Sequence, residues 1–149
     1  MINHSTKGNI LIVDDETSIR TLLKEHFEKQ GYSIFTAANG LKALEQLEEQ
    51  KIDVIISDII MPELDGVELV KRVRVEYPIT RIIMMTGFVS IENLLVCVQN
   101  QVDTVIFKPF KNLDEFTSSV EKSLENLRHW QHKLNEYESF FGNGPVNND

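Results

Sequence analysis

Ile10-Leu11-Ile12-Val13-Asp14-Asp15 decides the fold. The four apolar residues run without polar alternation and stop on a pair of acids. A strand covered on both faces reads this way, and so does the carboxyl end of such a strand. Three more runs share the pattern: Val54-Ile55-Ile56, Ile82-Ile83-Met84-Met85 and Val105-Ile106-Phe107. A fifth, Tyr32-Ser33-Ile34-Phe35-Thr36-Ala37, is mixed and suits a sheet edge. Helical spacing fills the intervals. Ile19, Leu22, Leu23 and Phe27 share one face, and Leu41, Leu44 and Leu47 another. Val67, Val70 and Val73 make a third stripe, and Ile91, Leu94, Leu95 and Val98 a fourth. Gly31, Asn39-Gly40, Pro62, Asp65-Gly66, Pro78 and Lys108-Pro109 punctuate the series, and Asn112 is a good cap for a last helix. Strand and helix thus alternate five times. That order implies a doubly wound five-stranded parallel sheet with helices on both faces.

The 149 residues amount to about one domain, and 42% apolar with 26% charged residues is a globular balance. No apolar run is long enough for a membrane span, and Met1 to Gly8 lack the apolar core of a secretory signal. The single cysteine, Cys97, excludes an internal disulfide and fits a reducing cytosol, so a cytoplasmic location is expected. A net charge of −8, from 15 basic and 23 acidic residues, argues against nucleic-acid binding by this chain alone. It suits a Mg²⁺ site or a basic protein partner.

Chemistry gathers where the strands end. The first core strand ends in Asp14-Asp15, the next in Asp58, the third in Thr86-Gly87 and the last in Lys108-Pro109. Open α/β sheets bind ligands outside the carboxyl ends of their strands. Three carboxylates, a hydroxyl and an ammonium would converge in one crevice. Like charges ~4 Å apart repel by roughly 4 kcal/mol at an effective dielectric near 20. Either a pKa rises or a cation fills the site, and hard oxygen ligands suit Mg²⁺. A carboxylate there could serve as a nucleophile towards phosphorus, with Lys108 and the metal offsetting charge and Thr86 donating a hydrogen bond.

With these residues in place, Leu11 to Glu16, Ser57-Asp58-Ile59-Ile60-Met61-Pro62, Asp65-Gly66, Met85-Thr86-Gly87 and Phe107-Lys108-Pro109-Phe110 resemble the receiver domain of two-component response regulators. The resemblance covers about residues 8 to 125. It implies a flavodoxin-like strand order 2-1-3-4-5 and Asp58 as phosphoacceptor. Asp15, Asp58 and the Ile60 backbone carbonyl would hold Mg²⁺, and Asp14 would act through water. Thr86 and Lys108 would contact the phosphoryl group, and the Lys108-Pro109 bond would be cis. The partner would be a histidine kinase or phosphotransfer protein, and the chain would be a signalling module rather than an enzyme.

Three departures from the family pattern stand out. Val105 stands where Tyr or Phe is common, which removes an aromatic switch. Gln101-Val102 replace the usual Gly-Ala, leaving Asn100 or Gln101 to carry a helix C-cap. Ile60 and Phe88 are apolar at the positions two after Asp58 and Thr86. A small aspartyl-phosphate phosphohydrolase is the alternative, but Ile60 stands where such enzymes carry an acid. A nucleotide-binding domain lacks both G-x-G-x-x-G and G-x-x-x-x-G-K-[ST]. The chain could also be the N-terminal fragment of a larger regulator.

Two helices hold apolar residues in excess. In Leu94-Leu95-Val96-Cys97-Val98, Val96 and Cys97 should point away from the sheet, making a candidate dimer surface. Further on, Leu113, Val120, Leu127, Leu134 and Phe141 recur every seven residues, with Phe116, Ser123, Trp130 and Tyr137 three after each of the first four. Helical sequence continues past the expected end of the receiver, and a homodimer through this C-terminal helix is the second candidate. His129 and His132 are too few for a closed metal site and read as solvated. The organisation expected is a flexible 1–7, a receiver over 8–125, a helical extension over 126–141 and a disordered tail over 142–149.

Overall fold

A computed structural model describes residues 5–88 and 90–142. Of the expected tail, 143–149 lie outside the described residues. Five strands alternate with five helices: β1 (Asn9–Val13), α1 (Thr17–Lys29), β2 (Ser33–Ala37), α2 (Gly40–Glu49), β3 (Val54–Asp58), α3 (Gly66–Glu76), β4 (Arg81–Thr86), α4 (Ile91–Gln99), β5 (Thr104–Phe107) and α5 (Asp114–Phe141). All neighbouring strands pair in parallel, in the order β2-β1-β3-β4-β5. The doubly wound sheet is therefore as expected.

Alternate residues of each strand feed two separate cores. Leu11, Val13, Ile55, Ile82 and Met84 pack with side chains of α2, α3 and α4. Ile10, Ile12, Val54, Ile56 and Ile83 pack on the opposite face with Leu23 and Phe27 of α1 and with α5. This explains the lack of polar alternation, because both faces of the central strands are dry.

Side chains set the helix starts. Asn39 Oδ1 accepts from Lys42 N at 2.9 Å, Asp65 Oδ1 from Glu68 N at 3.0 Å and Ser90 Oγ from Asn93 N at 3.2 Å. Asn112 Oδ1 accepts from Asp114 N at 2.9 Å, one residue before the cap position, so α5 opens slightly later than expected.

The inner face of α4 corrects the sequence reading. Cys97 is buried, whereas Ile91, Leu95 and Val98 are exposed and Val96 is half-buried. Five successive apolar residues sweep about 400° around a helix at about 100° per residue, so their pattern carries no phase. Leu22 and Leu41, placed on buried stripes, are likewise exposed, and Ala43 and Leu69 take up core positions.

The end of α4 carries a left-handed residue without glycine. Gln101 has φ 57°, its N–H donates to Val98 O at 3.1 Å, and Val102 N donates to Cys97 O at 3.0 Å. That paired closure is the Schellman arrangement, which usually has Gly at this place. Gly31 fills the same role after α1 with φ 100°.

Candidate functional site

The carboxyl edge of the sheet gathers the site. Parallel register sets Val13 beside Ser57, Asp58 beside Met85 and Thr86 beside Phe107, so β1, β3, β4 and β5 end on one rim. Just past β1, Asp14 is fully buried and Asp15 exposed. The Asp14 backbone is held on both sides, its N–H donating to Ala37 O at 3.2 Å and its carbonyl accepting from Arg20 Nη1 at 2.7 Å. Its Oδ1 accepts from Glu16 N at 2.8 Å.

Asp58 closes β3 and is 6% exposed. Its Oδ1 accepts from Ile60 N at 3.1 Å. The turn that follows is drawn tight against α3, with Gly66 N donating to Ile59 O at 2.8 Å. A Cβ on Gly66 would stand 2.1 Å from the Asp58 carbonyl oxygen, so only glycine permits this approach.

Lys108 bridges the acids. Its Nζ donates to Asp14 Oδ2 at 2.9 Å and Asp58 Oδ2 at 2.8 Å, with Glu16 Oε1 at 3.8 Å. Its own N–H donates to Thr86 O at 2.8 Å, which anchors it to β4, and the Lys108-Pro109 bond is cis. Burial alone would pull the Lys108 ammonium down. The hydrogen bonds and charges of Asp58 and Asp14 outweigh it and hold the group above the ordinary lysine range. Burial pushes the Asp14 carboxyl up, and the Glu16 amide and Lys108 do not fully reverse this.

Thr86 is buried at the end of β4, and its hydroxyl is engaged locally. Oγ1 donates to Phe88 O at 2.6 Å and accepts from Phe88 N at 3.1 Å. Phe88 and Ile60 stand exposed on the two flanking loops.

The structure thus brings Asp14, Asp15, Asp58 and Lys108 together, with Thr86 on the same rim and Ile60 beside Asp58. One carboxylate oxygen from each of Asp14, Asp15 and Asp58 lies within 4.8 Å of the others. An all-oxygen donor set with one exposed member suits a small hard cation that keeps several waters. One ammonium against these acids and Glu16 leaves the pocket net negative, as a cation site requires. Sequence reading missed Arg20, whose role is to pin the Asp14 backbone. Its place one turn into a helix carries no signal of that contact.

A family model for the response regulator receiver domain matches residues 10–121. Sporulation initiation phosphotransferase F of Bacillus subtilis (strain 168) is 39% identical over 115 residues, covering 77% of this chain and 92% of that protein. The alkaline phosphatase synthesis transcriptional regulatory protein PhoP of the same organism is 38% identical over 101 residues, and the match covers 68% of this chain but only 42% of PhoP. A CheY-like receiver domain protein from Methanospirillum hungatei JF-1 matches with TM-score 0.77 and 31% identity, over 84% of this chain and 99% of that one. TrrA from Thermotoga maritima, solved in complex with Mg(2+)-BeF, matches with TM-score 0.71 and 36% identity, over 78% and 98% of the two chains. Motif, topology and rim geometry agree with these likenesses, and the chain belongs to the response regulator receiver domain family.

Proposed function

We propose that Asp58 accepts a phosphoryl group from the phosphohistidine of a histidine kinase or phosphotransfer protein. A carboxylate oxygen of Asp58 attacks phosphorus, the P–N bond breaks, and the imidazole leaves with the electron pair. The carrying observation is the Lys108 ammonium held between Asp14 and Asp58, because it fixes a positive charge where the incoming phosphoryl oxygens need one.

Asp15, Asp58 and the Ile60 carbonyl would hold Mg²⁺, with Asp14 acting through water, and the three-carboxylate cluster supports that set. The ion would neutralise charge on the transferring group. TrrA, a relative at 36% identity, was solved with Mg(2+)-BeF, which favours the same reading here. Thr86 would then exchange its bond to Phe88 for one to the phosphoryl group, shifting the population of two conformers.

Residues 8–125 would act as the receiver and 126–141 as an appended helix, in a cytoplasmic protein without nucleic-acid contacts of its own. The chain's chemistry would stop at accepting the phosphoryl group and losing it slowly. Longer relatives such as PhoP favour a second reading, in which the same receiver works inside a larger regulator.

The test is incubation with acetyl phosphate and Mg²⁺, read by intact mass. The native chain should gain one phosphoryl group, labile at alkaline pH, and Asp58→Asn none. An Asn variant that still gains a phosphoryl group refutes the assignment.

A further inference from the structure

Asp14-Asp15-Glu16 is all that joins β1 to α1, and one side chain spans this loop from beside the acid rim. Arg20 stands one turn into α1 and is half-buried. Its Nη1 donates to the Asp14 carbonyl at 2.7 Å, and its Nη2 donates to Thr17 Oγ1 at 3.1 Å. Two donors of one guanidinium thus tie the residue after β1 to the first residue of α1. A planar fork fixes orientation as well as distance. Among the described residues Arg20 forms no ion pair with an acid, so its donors serve this loop rather than a surface salt bridge.

The carbonyl that Arg20 holds belongs to the peptide unit between Asp14 and Asp15. Peptide units are planar, so holding the oxygen sets the tilt of the whole plane. The other side of Asp14 is already fixed, because its N–H donates to Ala37 O at 3.2 Å. Its carboxylate is fixed as well, accepting from Glu16 N at 2.8 Å and from Lys108 Nζ at 2.9 Å. Asp15 differs. It is exposed, and among the described residues no donor holds its carboxylate. A carboxylate oxygen of Asp15 nonetheless lies within 4.8 Å of oxygens of Asp14 and Asp58. Backbone direction is what brings it there. Arg20 holds the peptide plane before Asp15 and, through Thr17, the helix start after it, so Asp15 is slung between two fixed points.

We propose that Arg20 is a positioning residue that aims the Asp15 carboxylate at the cation and thereby selects Mg²⁺ over Ca²⁺. The inference rests on the Mg²⁺ set proposed above. Mg²⁺ demands near-ideal octahedral geometry at about 2.0–2.1 Å, whereas Ca²⁺ accepts flexible arrangements at roughly 2.3–2.6 Å. A misdirected Asp15 therefore penalises Mg²⁺ more than Ca²⁺. The sign of the effect separates aiming from plain electrostatics. A guanidinium repels a cation, so deleting its charge would by itself tighten the binding of both ions. Losing the aim weakens the binding of Mg²⁺ instead.

The test titrates the full chain with MgCl₂ and, separately, with CaCl₂ at fixed ionic strength. Amide NMR shifts give both dissociation constants. Arg20→Met keeps the apolar stem and removes both donors. It should bind Mg²⁺ about tenfold more weakly than the native chain, and Ca²⁺ no more than about twofold more weakly. Arg20→Lys keeps the charge but cannot span both acceptors, and its Mg²⁺ constant should fall between the two. Lower stability alone leaves the ratio of the two constants at its native value, so the ratio reads positioning. Unchanged or tighter Mg²⁺ binding by Arg20→Met, or equal weakening for both ions, would overturn the proposal. Should Arg20→Met not fold, Arg20→Lys carries the same comparison, and a native ratio there overturns it too. A native chain that takes up no Mg²⁺ would bring down the metal set together with this role for Arg20. Native binding beside an indifferent Arg20→Met would remove the role and leave the metal set standing.

Discussion

Asp14 sits fully buried in a site where its charge is needed, and the fold bears a cost for it. Its carboxyl is raised by burial, so the folded state holds the Asp14 proton more tightly than the unfolded chain does. A raised carboxyl favours the fold below the unfolded pKa, and that contribution is lost as pH rises through the folded value. Asp14→Asn should then stabilise the metal-free protein at pH 7 by on the order of 1 kcal/mol. The gain should fade below about pH 4, where both forms are neutral. Urea unfolding at the two pH values checks this, and equal gains at both would contradict it. At the same rim, Ile60 and Phe88 cannot hydrogen-bond a hydrolytic water. A variant with Ile60→Asn and Phe88→Glu should lose its aspartyl phosphate severalfold faster than the native chain, followed by intact mass against time. Asp14, Asp15, Asp58 and Lys108 were legible because each ends or follows a strand run, and parallel strands share one carboxyl edge. The bond of Thr86 to Phe88 was not, since a hydroxyl's rotamer depends on the turn that follows it.

Helix ends and helix faces raise the next questions. Gln101 adopts the left-handed conformation that a residue with Cβ reaches at a cost of roughly 1–2 kcal/mol. Gln101→Gly should stabilise the fold by about 1 kcal/mol, because part of that gain is lost to the freer unfolded chain. The opposite sign holds at Gly66, where a Cβ meets the Asp58 carbonyl at 2.1 Å. Gly66→Ala should cost about 2–4 kcal/mol and displace the Asp58 loop. Chemical denaturation of both variants tests the pair. The five strands and five helices could be placed from the sequence by their breakers and apolar spacing. The inner face of α4 could not, because an unbroken apolar run fits any rotation and only packing into the core beside α3 selects Cys97. Burial also lifts the Cys97 thiol above its ordinary range, so it should react slowly with thiol reagents at neutral pH until the protein unfolds.

For the molecule as a whole, strand order follows from two constraints: alternating elements and right-handed crossovers. Little freedom remains once both are applied. What the order does not determine is where a long helix stops being covered. The heptad continues unbroken from Leu113 to Phe141, whereas the sheet ends beside Leu127. Only the three-dimensional extent of the receiver separates the two halves. A chain ending at Gln131 should consequently keep the unfolding free energy of the full chain to within about 1 kcal/mol when both are monomeric, since residues 132–142 are almost all exposed. A larger loss in dilute urea titrations would mean that the distal helix supports the receiver.

Trp130 is the chain's one tryptophan, and it lies half-exposed on α5 past the base of the sheet. The acidic rim is at the opposite edge. Intrinsic fluorescence excited near 295 nm therefore reports optically on the distal helix and its surroundings, while events at Asp58 leave it dark unless they travel the length of the fold. A change in emission on addition of phosphodonor would be a direct reading of that transmission, obtained without any label.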